Sequence, residues 1–213
     1  MSLLNFPSAP NLPLSPLEFD SRYQEGLNNV LRLYFTRLSG TLQSVLGPEG
    51  GSYINSPFGS FISTADQFAL STTAAYVVTL SSAPITNGVT LVSGSRITMG
   101  YSGYYNIQFS VQLSNNTNAA QDVDIWFSKN GTDIANSNSR FGLAPRKSAG
   151  DPFHLVGTVN IIESFNAGDY AQINWRTSDL NTYIEYYAAP TLPTRPAIPS
   201  VIVTATFVSS IAE

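Results

Sequence analysis

Few residues in this sequence are equipped to do chemistry. His154 is the single histidine, set in Asp-Pro-Phe-His-Leu-Val with Asp151 nearby. A nucleophilic triad needs such a base aligned with Ser or Thr, but a histidine at the entry to a strand reads as a structural or rim residue. Asp122 and Asp124 lie two apart in a strand-like run and therefore share a face. Paired carboxylates could serve glycoside hydrolysis, and with Asp133 they could hold calcium. Nothing ties them to a pocket, however, and the EF-hand spacing is absent, so a solvated face is the preferred reading. The absence of Cys removes disulfides, thiolate chemistry and Cys-based metal sites, and one His removes every multi-His site. No glycine-rich loop opens a helix to cradle phosphate; Gly50-Gly51 follows one instead. The expectation is a protein without catalytic residues, cofactor or metal. Trp126, Trp175 and Tyr183 are the candidate contacts for a glycan, against the competing reading of aromatics at strand spacing as core or subunit interface.

The elements that must position these residues change character along the chain. Residues 1–14 carry Pro7, Pro10 and Pro13, and Pro16 continues the series. One proline in three suits polyproline II and puts the prolines on one edge of an extended arm, with Phe6 beside them. A helix is expected over 15–46. Ser15 is its candidate N-cap, Pro16 its first residue and Glu18 the partner in a capping box, with Leu14 and Phe19 as a hydrophobic staple. Gly47-Pro48 is the stop. Leu31, Phe35, Leu38, Leu42 and Val45 step by four and three, a heptad seam that requires a partner surface. That partner is either the β region of the same chain or other copies in a trimeric bundle. Residues 47–64 read as a Gly/Ser/Pro linker.

From 65 to 213 the signals are those of strands. Tyr105, Ile107, Phe109, Val111 and Leu113 alternate with mostly polar residues, and Val123, Ile125 and Phe127 alternate again before Asn130-Gly131, a hairpin signal. Further runs lie at 76–80, 88–92, 96–99, 153–162, 170–175, 182–187 and 201–208. The fold class expected is mainly β, an antiparallel jelly-roll sandwich behind an arm and one long helix. A second proline series, Pro190, Pro193, Pro196 and Pro199, reads as a stiff surface loop or a docking segment.

Composition narrows the classes of function. Charged residues make up 11% of the chain, against about 25% in a typical soluble protein. A net charge of −4 leaves no broad basic face for nucleic acid. No apolar run approaches the roughly 18 residues of a membrane-spanning helix, and the first residues lack the basic flank and apolar core of a signal peptide. Polar, uncharged and aromatic, the chain suits a β-rich extracellular or virion surface protein.

Three stretches carry a family likeness. Arg96-Ile97-Thr98-Met99 leads through two glycines into Tyr104-Tyr105-Asn106-Ile107-Gln108-Phe109; Ile125-Trp126-Phe127-Ser128-Lys129-Asn130-Gly131 follows; and Phe165-Asn166-Ala167-Gly168-Asp169-Tyr170-Ala171-Gln172-Ile173 comes late. In this order they resemble the jelly roll shared by tumour necrosis factor and the globular heads of complement component q. The proline-rich 190–199 insertion departs from that pattern. The front end, Phe-Pro-Ser-Ala-Pro-Asn-Leu-Pro followed by Asn-Val-Leu-Arg-Leu-Tyr-Phe-Thr-Arg-Leu, resembles the N-termini of small virion structural proteins of tailed bacteriophages. The first resemblance implies a homotrimer in which sheet aromatics meet around a threefold axis, with Tyr105 and Phe109 as expected contacts beside the helix seam. The second implies a virion location, with Phe6, Pro7, Pro10 and Pro13 fastening the protein to other capsid or tail proteins. A tail-fibre adhesin gripping host surface glycan is the alternative, and an enzyme acting on surface polysaccharide the least favoured.

Overall fold

The computed structural model describes residues 9–14, 16–46 and 55–211. They divide into two compact units, Met1–Asn55 and Ser56–Glu213.

The first unit holds helix α1, Ser21–Leu46. It starts later than its sequence signals suggest. Asp20 caps it, its carboxylate accepting from Arg22 N at 2.8 Å, and the first helical bond runs from Gln24 N to Asp20 O. Pro16 therefore precedes the helix, and Leu14 and Phe19 are exposed and form no staple. The Asp20 carboxylate satisfies an otherwise unpaired amide of the first turn, which fixes the start there. Ser15 and the Gly47-Pro48 stop lie outside the described residues.

The second unit is built of thirteen strands: β1 (Phe58–Ser63), β2 (Tyr76–Val77), β3 (Ser82–Asn87), β4 (Val89–Val92), β5 (Arg96–Met99), β6 (Gly103–Asn115), β7 (Gln121–Lys129), β8 (Thr132–Asp133), β9 (Ser139–Leu143), β10 (Phe153–Phe165), β11 (Tyr170–Thr177), β12 (Thr182–Ile184) and β13 (Val201–Ser209). They form two antiparallel sheets. The first runs β10-β6-β13-β1-β3, with β12 also on β6; the second runs β4-β5-β11-β7-β8, with β2 on β11 and β9 on β7. One core lies between them. Phe61, Ile107, Phe109 and Val203 come from the first sheet, and Ile97, Val123, Phe127 and Trp175 from the second.

β1 overturns the expected linker over 47–64, whose first residues, 47–54, lie outside the described set. It is a central strand between β13 and β3. Its inward positions are Gly59, Phe61 and Ser63, so small residues fill two of the three core slots and erase the apolar alternation. Gly59 is required there: a Cβ would sit 2.5 Å from the Phe61 ring, which folds back over it. The Asn130-Gly131 turn does join β7 to β8, with φ of 52° and 81°. The second proline series lies in the excursion between β12 and β13, tied by bridges at Tyr187–Ile198 and Thr191–Thr194.

Candidate assembly surfaces

The pleat gives each sheet one face toward the core and one away from it, and the two outward faces differ in chemistry. On β6 the outward residues are Tyr104, Asn106, Gln108, Ser110 and Gln112. Beside them on β10 stand Ser164, Ile162, Asn160, Thr158 and Val156 in register, and on β13 Thr206, Thr204 and Ile202. None of these side chains carries a charge. Ile162 is 60% exposed and Val156 53%, with Tyr104, Ile202 and Val208 also open. The outward face of the second sheet is the opposite case. There Arg96 lies over the Tyr170 ring at 4.7 Å, and Asp124 is clamped between Arg140 and Arg176, its cross-strand neighbours on β9 and β11.

This assignment corrects the expected trimer contacts on β6. Tyr105 and Phe109 are 0% and 1% exposed and point into their own sandwich. Tyr105 meets Phe165 and Phe207 edge-on, and its hydroxyl donates to Tyr101 O at 2.8 Å. Burial pushes its phenol up to about 12. Phe109 packs on Phe127 at 5.3 Å, across the two sheets. The apolar parity of β6 is buried as the alternation implies, but against the second sheet of its own chain rather than against another copy. The outward aromatic is Tyr104.

In the helical unit, Leu31, Leu38 and Val45 are half-buried, while Phe35 and Leu42 are 59% and 47% exposed. The residues before the helix lie along a neighbouring face of it. Tyr23 donates to Pro13 O at 3.4 Å, and Ala9, Pro10 and Asn11 close a cavity of about 420 Å³ against Val30, Leu33, Tyr34 and Arg37. Phe6 and Pro7 lie outside the described residues.

The three candidate glycan contacts do not converge. Trp175 is 1% exposed and packs beside Tyr76 in the core, so it touches no ligand; as with Tyr105, its strand parity turns it inward. Trp126 is half-buried on the outward face of β7, where its indole N–H donates to Asp133 at 2.8 Å. Tyr183 belongs to the first sheet and stacks on Phe68 at 4.7 Å.

Two polar clusters had no clear signature in the sequence. Asp124 is not part of a solvated face: its carboxylate is 5% exposed and accepts from Arg140 Nε at 2.8 Å and Arg176 Nε at 2.7 Å. Burial alone would raise its pKa, but the two guanidiniums overcome that and hold it below the usual carboxylate value. At the root of the proline excursion, Tyr187 donates to Glu185 at 2.6 Å, and His154 Nδ1 lies 2.8 Å from the phenol oxygen and 3.3 Å from the carboxylate. Burial, then Glu185, pushes the Tyr187 phenol upward. The polar contacts of the His154 ring go to Tyr187 and Glu185. Among the described residues, no group of three or more His, Cys, Asp or Glu side chains is placed to hold a metal ion.

No protein-family model matches the chain, and no curated protein matches its sequence.

Proposed function

We propose that this protein is a non-enzymatic structural component of a phage virion, a homotrimeric capsid decoration or short fibre part. In this reading residues 1–46 fasten it to the particle and the β unit is exposed. The observation that carries it is the uncharged outward face of β10, β6 and β13. A sheet face exposed on a free monomer normally carries charge, as the second sheet does here; a face with none, and with Ile162, Val156, Tyr104, Ile202 and Val208 open, can be buried against neighbouring copies without stranding an ion.

Strand order supports the finer fold. The eight main strands divide as β1-β13-β6-β10 and β5-β11-β7-β9. Consecutive main strands change sheet at every step except β7 to β9, a pattern that supports the jelly-roll reading. The resemblance to tumour necrosis factor and complement component q heads adds the trimer. Burial between three copies would contribute roughly 25 cal/mol per Å² of apolar area, in a closed ring of heterologous contacts. Three arms on one trimer would then convert weak attachments into a firm one.

The direct test is a charge placed at the centre of that face. Gln108→Lys should bring three ammonium groups into one desolvated interface and reduce the solution mass from three times 23.0 kDa to 23.0 kDa, with the strand signal in circular dichroism unchanged. A variant that stays trimeric removes this face from the interface.

A further inference from the structure

On the outward face of the second sheet, one aromatic plate sits among fixed polar groups. Trp126 stands directly opposite Asn174 on β11, and its indole is oriented by Asp133. Two residues back along β7, Asp124 holds Arg140 and Arg176 by their Nε and Nη2 atoms. These two arginines remain 61% and 42% exposed, so each keeps further N–H donors for solvent or a ligand. Both lie on the diagonal from Trp126, roughly 7–8 Å between Cβ atoms in such a ladder.

Charge selects among ligands. Around Trp126, Arg140 and Arg176 are balanced by Asp124 and Asp133, so the patch has no net positive charge with which to recruit an anionic partner. What the patch offers instead is donors and acceptors on either side of an aromatic face. That is the requirement of a pyranose: hydroxyls that both donate and accept, and a C–H face that packs on an indole.

We propose that this patch binds a neutral, hydroxyl-rich sugar, its ring over Trp126, with hydroxyls donating to Asp133 and accepting from Arg140 and Arg176. The polar groups are already held by Asp124 and by the indole bond, so little ordering is left to the moment of binding. This goes beyond the trimer proposal, because it concerns the other face of the sandwich and stands whether the protein is monomeric or trimeric.

The two tryptophans make the test specific. Trp175 is 1% exposed, so a solute that leaves the fold intact reports through Trp126 alone. The full chain would be titrated with neutral oligosaccharides of glucose, galactose, mannose and N-acetylglucosamine, beside analogues bearing uronic or sialic acid. The expected result is a saturable change in tryptophan emission with at least one neutral sugar, retained in Trp175→Phe. Calorimetry should show affinity weakened by about tenfold or more in Trp126→Ala. Should that variant fail to fold, Arg140→Gln keeps the plate and should weaken binding by a similar factor. No emission change with any sugar, unaltered affinity in the variants, or binding of the acidic analogues alone would each overturn the proposal.

Discussion

Asp124 shows how single residues hold the second sheet. Its neighbours approach from two strands, so one carboxylate links β9, β7 and β11. Because its folded pKa lies below the ordinary value of about 3.9, the stability it contributes is full above that value and is lost as pH falls through the folded pKa. Asp169 acts in the same direction, held down by Asn130 and the Asn166 amide. Asp124→Asn should therefore cost about 2 kcal/mol at pH 7, less than for a fully buried pair because both arginines are solvated. Its denaturation midpoint should also depend less on pH below 4 than that of the wild type. An equal loss of stability in both proteins between pH 5 and pH 3 would contradict this. Gly59 is the second case. Gly59→Ala forces a methyl group against the Phe61 ring and should destabilise by about 1–3 kcal/mol in urea unfolding; a neutral result would mean that the ring moves away freely. Neither role was legible in the sequence. Asp122 and Asp124 look identical there, and the arginines that distinguish them arrive from strands 16 and 52 residues away.

At the scale of elements, the arm and helix carry the attachment proposal. Removing residues 1–15 should abolish incorporation into particles while leaving a folded protein, checked by particle purification beside circular dichroism of the free chain; normal incorporation would sink the anchoring role. The long strands were readable because their core positions are large and apolar: β5 was expected at its observed bounds, and β6 and β7 nearly so. Others were hidden for physical reasons. β1 buries Gly59 and Ser63 beside Phe61. β3 is an edge strand with no buried residue, so nothing in Ser-Ala-Pro-Ile-Thr-Asn alternates. β9 is short and half-buried, with Gly142 between its two apolar residues and Arg140 before them. The helix was visible but its start was not: the capping-box signal at Ser15 and Glu18 drew the expected start to 15, whereas Asp20 caps the helix. The assembly face was half legible. Its alternation was plain along β6, but alternation alone does not say whether the apolar side is covered by the chain's own second sheet, as it is, or by another copy.

The β unit is a sandwich whose outer face along β10, β6 and β13 bears no Asp, Glu, Lys or Arg, with His154 and Glu185 only at one end, while its other outer face is charged, and that asymmetry is what the functional proposal rests on. Within the β unit the charged side chains lie mainly on the second sheet and the loops, with Glu163 of β10 on the inward parity, so the outward face of β10, β6 and β13 is left free for burial. An interface of this kind depends little on ionic strength. The most direct test is the solution mass of the full chain by light scattering after size exclusion, at micromolar concentration in low and high salt. The proposal predicts about three times 23.0 kDa in both conditions. A mass of 23.0 kDa would contradict it, leaving the uncharged face without a second copy to cover it.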